Sequence, residues 1–423
     1  MAAHWLSGLE LLASPGQPAR AGEALVAADG RLLALGAAAA EQGRALGLQP
    51  SAAEGMLLAP ALVDPHSVLE EPWGGRAETL SSLAAAAAAS GYGTVALLPW
   101  ARPWRDRADL LQLRWSEPLR LPLWGSFASG DGSGLAPQAD QLEAGALGLA
   151  TGPALPPAEL LERGLTLAEW GERPLLLAPR WPELCGGGFV RESVETLRAG
   201  WPPDPATSEL LPLELLAGLL AQRPVRRPVL MNLSTAGGAE RLRRWPAATR
   251  PQATVSWWHL LADASRLDLI DQGWRLEPSL GGPLDREALI AALADGLITA
   301  VAVHHLPLDS EEQLLPLDQR RAGVAGHGGP LLPLLWQELV ERRGWSAGQL
   351  WQVLCWGPAQ VLGLEPEGLE PGSRRWLLFD PHGAAPAAAA PTSLAANHPC
   401  PLTAAGAGAI RASGLSGGDR WLL

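Results

Sequence analysis

The feature that most constrains the fold is a repeat of short apolar runs, each followed by a stretch with helical character. The runs are almost continuously apolar, as strands are when both of their faces are buried. Eight such repeats between residues 57 and 345 predict an α/β fold, a (β/α)8 barrel of the TIM type. A doubly wound sheet is the alternative that this alternation leaves open. The predicted strands are Leu57–Asp64, Thr94–Pro99, Leu119–Phe127, Ala146–Thr151, Pro174–Pro179, Pro228–Ser234, Ala253–His259 and Ile298–His305.

The two ends of the chain follow a different pattern, in which hydrophobic runs alternate with turns. This pattern is typical of small antiparallel sheets. We therefore predict that residues 1–56 and 365–423 form one small β-sandwich-like domain, and that residues 57–364 form the barrel. Between the predicted strands, helices are expected at Glu78–Ser90, Pro157–Trp170, Glu209–Ala221, Ala236–Trp245 and Arg286–Ala294.

The composition of the chain limits where the protein can be located and which partners it can bind. The net charge of −12 argues against nucleic acid or an anionic membrane as the main partner. The longest apolar stretch, from Leu83 to Ala101, is interrupted by polar residues, glycines and a proline, whereas a membrane span needs about 20 apolar residues. The three cysteines are far apart and form no CxxC pair, which is typical of thiols in a reducing compartment. We expect a cytoplasmic protein.

The clearest motif follows the first predicted strand and runs Asp-Pro-His-Ser-Val-Leu-Glu-Glu-Pro from Asp64 to Pro72. It resembles the Asp-x-His-x-His-x-Arg-[Asp/Glu]-Pro signature of dihydroorotase and its cyclic-amidohydrolase relatives. An ordered series of matches over about 350 residues makes the resemblance specific for fold and superfamily. The further matches are Glu78-Thr79, Gly91–Val95, Ser234–Gly237 with Glu240, Pro278, Asp285–Leu289, His305 with Pro307, Gly323 and Gly326, Pro358–Leu364, Phe379–Pro381, and Ser393, Asn397 and Pro399.

The resemblance implies a reaction that interconverts carbamoyl-aspartate and dihydroorotate. That chemistry needs a metal-bound hydroxide held by histidines, a carboxylate that moves protons, and an arginine for the substrate carboxylate. A carboxylated lysine cannot bridge two metals here, because all 32 basic residues are arginines. At the positions that the family uses, this chain has Val68 for the second histidine, Glu70 for the arginine, Trp100 for an asparagine, Ala178 and Asn232 for two ligand histidines, and His304 for the catalytic aspartate.

Three hypotheses follow from these replacements. The first is a catalytically inactive dihydroorotase-like protein of pyrimidine-biosynthesis ancestry that needs no cofactor and acts as a partner or scaffold. The resemblance suggests aspartate carbamoyltransferase as that partner, since some inactive family members assemble with it; self-association is the other possibility. The second is an active cyclic amidohydrolase with at most one zinc, held by His66 and His304 with His305 or Glu70. The third is a ligand-binding sensor.

The expected pocket lies at the C-terminal ends of the barrel strands, where such barrels place their active sites. Trp100 and Trp181 replace polar residues there, so their indoles are expected to fill space that a small substrate needs. His259 and His327 are interpreted as ordinary surface or packing histidines, and Cys185 as an inert buried thiol. The predicted pocket residues are Glu70, Trp100, Asn232, Glu277, His304 and His305.

Overall fold

A computed structural model describes residues 3–72, 75–113, 115–116, 118–266, 275–384, 393–399 and 408–415. The strands are β1 Ala3–Leu11, β2 Arg20–Ala27, β3 Leu32–Leu35, β4 Ser51–Ala52, β5 Leu57–Pro60, β6 Leu62–Ser67, β7 Tyr92–Leu97, β8 Gly125–Ser126, β9 Leu149–Ala150, β10 Leu175–Leu177, β11 Val190–Arg191, β12 Pro203–Asp204, β13 Pro228–Leu230, β14 Gln252–Ser256, β15 Ala300–Ala302, β16 Trp376–Asp380 and β17 Ala409–Ser413.

The helices alternate with the barrel strands and continue beyond the last of them. They are α1 Ala37–Ala45, α2 Leu80–Ala89, α3 Gln138–Glu143, α4 Ala158–Leu167, α5 Val194–Arg198, α6 Thr207–Gln222, α7 Ala236–Arg244, α8 Trp258–Leu261, α9 Pro283–Ala294, α10 Ser310–Gln313, α11 Leu331–Leu335, α12 Ala347–Trp351 and α13 Gly357–Leu362. Two π-helical turns, Trp336–Glu341 and Gln352–Trp356, extend α11 and α12.

Parallel strands form the barrel, in agreement with the predicted fold. In the described residues β8, β9, β10, β13, β14 and β15 are neighbours in one sheet, and β6 pairs with β7. Bridges from Thr94 to Arg120 and from Leu97 to Leu123 join β7 to the strand that ends in β8. The barrel closes between its first and last strands, where the backbone N–H of Val68 donates to the carbonyl of His305 at 2.9 Å.

The terminal segments form a mixed sheet with the order β17-β16-β5-β1-β2-β3 in the described residues, and β4 pairs with β1. Strand β5 belongs to this sheet, so the predicted strand Leu57–Asp64 divides between sheet and barrel. The division follows Pro60; the N–H of Ala61 donates to Arg375 in the terminal sheet, and the N–H of Leu62 to Gly91 beside β7. Residues 385–392, 400–407 and 416–423 of the predicted terminal domain, with Cys400, lie outside the described residues.

One apolar core joins the barrel to the helices around it. It contains the barrel residues Leu176, Val229 and Val255, and it extends to Leu377 and Phe379 of the terminal sheet. Among the described residues, no helix is long and apolar enough to cross a bilayer.

Candidate functional site

Asp64 anchors the end of β6 to the last barrel strand. One carboxylate oxygen accepts a hydrogen bond from the N–H of Val303 at 3.0 Å, and the other accepts from Ser67 Oγ at 2.5 Å and contacts His327 Nε2 at 3.0 Å. His327 is fully buried and also stacks edge-on against Tyr92, with ring centroids 4.9 Å apart. Of the two predicted alternatives, a surface or a packing histidine, His327 is the packing one, and it contributes to the contacts that hold β6.

His66 and His304 face each other across the closure of the barrel, with their Nδ1 atoms 3.0 Å apart. His66 Nε2 lies 2.9 Å from Thr254 Oγ1, whose hydrogen is directed to Asn232 Oδ1 at 3.3 Å. In the contact between the two Nδ1 atoms, one neutral ring donates its N–H and the other accepts it, and the tautomers of the two rings set which is the donor. The two rings form a hydrogen-bonded pair.

Burial keeps these histidines neutral. Desolvation lowers the pKa of His66 well below its ordinary value, and the neighbouring His304 lowers it further. Desolvation also lowers the pKa of His304 to about 4, although Asp64 opposes this shift. At neutral pH, the hydrogen-bonded pair therefore carries no charge.

We expect the protein to lose stability as the pH falls. The pKa of His304 is about 4 in the folded chain against 6.5 for an ordinary histidine, so the unfolded chain binds more protons between these values. His304 thus stabilises the fold fully above about pH 6.5, and about 3 kcal/mol is lost as the pH falls to about 4. Urea unfolding across this range measures the effect.

His304→Asn is the matched variant, because His304 has a φ of 47° and asparagine tolerates that left-handed conformation. Asparagine does not titrate, so the variant is expected to lose less stability on acidification. An unchanged pH dependence would contradict this assignment.

The ring of His305 makes two contacts. Its Nε2 lies 3.2 Å from Glu78 Oε2, and its Nδ1 accepts from the N–H of Gly326 at 3.2 Å. Burial raises the pKa of Glu78, but hydrogen bonds with His305 and Ser393 outweigh burial and lower it to about 2. Both ring nitrogens of His305 are occupied by these contacts. His305 was predicted to line the pocket at the C-terminal ends of the barrel strands (the barrel mouth), but its side chain is not among the residues that line the cavity there.

Glu70, another predicted pocket residue, does not line the cavity at the barrel mouth. Its Oε1 accepts a hydrogen bond from Arg321 Nη1 at 2.5 Å. Arg321 also donates to both carboxylate oxygens of Glu312, at 2.9 and 3.1 Å. These residues line a charged groove of about 400 Å³. The charge reversal at position 70 is therefore balanced by an arginine that the sequence analysis did not single out.

A small cavity of about 20 Å³ lies at the barrel mouth, room for about one water molecule. The Trp100 indole narrows it, donating from Nε1 to the carbonyl of Thr151 at 3.2 Å and standing edge-on to His304, with ring centroids 5.8 Å apart. Trp181 does not line this cavity. The lining side chains include Trp100, Ala178, Arg180, Asn232, Glu277 and His304.

Some polar groups in the wall of this cavity have an ion-pair or hydrogen-bond partner, and others have none among the described residues. Arg180 and Glu277 form an ion pair at 3.2 Å. Asn232 is buried, has a φ of 50°, and leaves its Nδ2 without a hydrogen-bond partner among the described residues. Arg180, Thr254 and Arg321 were missed by the sequence analysis, although Thr254 lies in the predicted strand Ala253–His259.

Val68 and Ala178 occupy two positions where the resemblance implies ligand histidines. Both side chains are apolar and buried, 1% and 5% exposed, and neither can bind a metal ion. In the described part of the chain, no group of three or more His, Cys, Asp or Glu side chains is arranged to hold a metal ion.

A closed parallel barrel, a terminal sheet and a histidine-bearing first strand define an amidohydrolase-type protein. A "Probable dihydroorotase-like protein" of Synechocystis sp. is 33% identical over 368 residues, covering 78% of this chain and 81% of that protein. The chain thus belongs to the dihydroorotase and cyclic amidohydrolase superfamily, as the motif predicted.

A dihydroorotase of Listeria monocytogenes is 27% identical over 329 residues, covering 76% of this chain and 77% of the enzyme. Among solved structures, a D-hydantoinase from Bacillus sp. AR9 superposes with a TM-score of 0.76 at 17% identity, covering 99% of this chain and 96% of that one. This likeness supports the barrel fold. No family model matches the chain.

Proposed function

We propose that this protein is a non-hydrolytic dihydroorotase-like protein that acts by binding another protein. The observation that carries the proposal is the filled barrel mouth. There His66 pairs with His304 at 3.0 Å, and the remaining cavity has a volume of about 20 Å³. A small-molecule site is usually a cleft of about 300–1,000 Å³. Dihydroorotate has no room beside this pair unless Trp100 moves.

The two-metal centre of the family does not fit the residues present. In a tetrahedral site with Zn–N near 2.0–2.1 Å, two ligand nitrogens would lie roughly 3.3 Å apart, both with lone pairs towards the ion. Here the Nδ1 atoms of His66 and His304 are 3.0 Å apart and share a hydrogen. Val68 and Ala178 offer no donor, and Asn232 turns its amide oxygen to Thr254.

Aspartate carbamoyltransferase is the first partner to test. Its support comes from the family resemblance together with a barrel that keeps its closure and its core although the mouth is filled. Natural selection for a protein-binding surface would preserve the packed core of the barrel without preserving the metal-binding side chains. Self-association is the competing form of this proposal.

The first experiment measures zinc content and turnover in protein purified without added metal. We expect substoichiometric zinc and no ring opening of dihydroorotate or of a hydantoin above background. An active dihydroorotase, prepared and assayed in parallel, shows that both measurements would detect a functional site. Near-stoichiometric zinc with measurable turnover would overturn the non-hydrolytic assignment.

The second experiment mixes the purified protein with aspartate carbamoyltransferase from the same organism and measures mass by size-exclusion chromatography with light scattering. The expected result is a joint peak of higher mass than either component. Two separate peaks, with this chain eluting as a monomer, would reject the partner role. A higher mass for this chain alone would favour self-association.

A single-zinc hydrolase is the second candidate, because His66 and His304 bring two ring nitrogens together at the barrel mouth, and a zinc ion could bind them only by displacing the hydrogen bond between them. Zinc titration followed by calorimetry tests it in wild type and in the His304→Asn variant. Saturable zinc binding that the variant loses, with turnover on loading, would establish it. The sensor hypothesis is less favoured by the small cavity.

A further inference from the structure

We propose that the groove between α9 and the π-helical turn Trp336–Glu341 is a binding site for a small phosphate-bearing molecule. The groove has a volume of about 530 Å³, which is within the usual range for ligand sites. Among the residues that the structure describes, it shares no lining residue with the cavity at the barrel mouth. Its charged lining residues in the described part of the chain are the four arginines Arg266, Arg286, Arg342 and Arg343, and the carboxylate Glu338.

Glu338 organises three of the arginines. Its Oε1 accepts from Arg343 Nε at 3.0 Å and from Arg286 Nη1 at 3.4 Å, and its Oε2 accepts from Arg342 Nη1 at 3.1 Å. The Glu338 side chain is only 8% exposed. One buried carboxylate therefore holds three guanidinium groups together.

Two further carboxylates orient the arginines but do not line the groove. Glu287 accepts from Nη1 and Nη2 of Arg343, both at 2.7 Å, and Asp263 lies 3.1 Å from Arg286 Nε. The groove is therefore lined by four guanidinium groups and one carboxylate, and the other two counter-charges lie beside it. Paired planar donors of this kind suit the oxygens of a phosphate group.

Among the described residues, the arginines outnumber the carboxylates at the groove. Glu338, Glu287 and Asp263 account for three negative charges against four arginines, and 4 − 3 = 1. The extra charge belongs to Arg266, which is exposed and has no ion pair or hydrogen bond from its side chain to any described residue. Arg342 is 55% exposed and makes its one described contact, with Glu338, through Nη1. These two side chains keep the most donors for a ligand.

The π-helical turn is a second, independent observation. Its defining bond runs from the N–H of Arg342 to the carbonyl of Gln337, five residues back, at 3.1 Å. This wider turn brings Arg342 and Arg343, four and five residues after Glu338, to the same carboxylate. Such π-helical turns are rare and are frequently found at functional sites.

Leu261 and Leu334 give the groove an apolar part beside the arginines. A ligand with a phosphate group and a small apolar body therefore fits better than an inorganic anion. Phenyl phosphate and inorganic phosphate are probes that separate these two contributions.

The test is calorimetric titration of both probes at low ionic strength. We expect saturable binding of phenyl phosphate that is tighter than that of inorganic phosphate. The double variant Arg266→Gln/Arg342→Gln should weaken it by about tenfold or more, since it removes the two most accessible donors. Equal affinity for both probes would contradict the proposal that the groove binds the apolar body of the ligand as well as its phosphate group.

The matched control is Arg31→Gln/Arg226→Gln, which removes the same charge at arginines that are 61% and 74% exposed elsewhere. The control should bind within about twofold of wild type, since exposed surface charges act weakly at a distance. Equal weakening in both double variants would show a general charge effect and overturn the site, as would no saturable binding to wild type. Urea unfolding confirms that each variant is folded. These results do not depend on whether the barrel mouth is catalytic.

Discussion

Replacing Arg191 with methionine is expected to lower the free energy of unfolding by about 3–5 kcal/mol. The Arg191 side chain is 3% exposed and forms ion pairs with Asp204 at 3.1 Å and Glu209 at 3.4 Å. It also donates to Ser208 Oγ at 2.6 Å and to Ser234 Oγ at 2.9 Å. Methionine fills much of the space but leaves two buried carboxylates without their cation. Burying such an unpaired charge is far more costly than losing a surface pair.

Urea unfolding of Arg191→Met against wild type measures this loss. Arg226→Met is the control, because Arg226 and its partner Glu172 are 74% and 75% exposed. Its effect should stay within about 0.5 kcal/mol. A change of that size in Arg191→Met as well would mean that Asp204 and Glu209 are not held as charged groups. The result matters for the site because Glu209 receives hydrogen bonds from Ser234, which follows β13.

Replacing Trp351 with alanine should lower the free energy of unfolding by a similar amount, about 3–5 kcal/mol. Trp351, at the end of α12, is completely buried, and its Nε1 donates to the carbonyl of Pro60 at 2.9 Å. That carbonyl lies where the chain passes from β5 in the terminal sheet to β6 in the barrel. The substitution removes the packing and also leaves a buried carbonyl without its donor.

Trp351→Phe separates these two contributions, since phenylalanine keeps most of the apolar volume but lacks the N–H. We expect a smaller loss, about 1–3 kcal/mol. Trp115→Ala is the surface control because Trp115 is 41% exposed. A Trp351→Ala variant as stable as the Trp115 variant would show that the contact between α12 and the chain crossing does not hold the two parts together.

The filled mouth and the family relationship are compatible. The superfamily is defined by the barrel scaffold and its ordered motifs, and these depend on buried strands and turns. Catalysis depends on a few side chains at the strand ends, and at two positions where the resemblance implies ligand histidines this chain has Val68 and Ala178. Function depends on the side chains of the site more than on the fold. A protein can therefore share the ancestry of the superfamily and have a different role.

Much of the fold follows from local sequence signals. The predicted helices Glu78–Ser90 and Ala236–Trp245 correspond to α2 and α7, because Thr79 and Thr235 accept a backbone hydrogen bond at their first turns. The last barrel strand was predicted through His305 but ends at Ala302. The left-handed backbone of His304 ends its regular geometry, and nothing local in two adjacent histidines signals this.

Sequence reasoning placed Glu70 and His305 in one pocket because both lie at the C-terminal ends of predicted barrel strands. It could not place Arg321 opposite Glu70, since 251 residues separate them in the chain. It also could not show that His305 turns to Glu78 and His327 to Asp64. Partners so far apart in sequence are chosen by loop conformations, which no local periodicity specifies.

The sequence by itself determined the superfamily, the barrel and the apolar side chains Val68 and Ala178 at two positions where the resemblance implies ligand histidines. These depend on which atoms each residue carries and on apolar repeats, both of which can be read from the chain alone. Only the tertiary structure decided which contacts form at the ends of the barrel strands: the His66–His304 hydrogen bond, the indole of Trp100 in the mouth and the Glu70–Arg321 ion pair. The reason is physical, because these are contacts of a few ångströms between strands and loops whose relative positions are set by packing of the whole barrel.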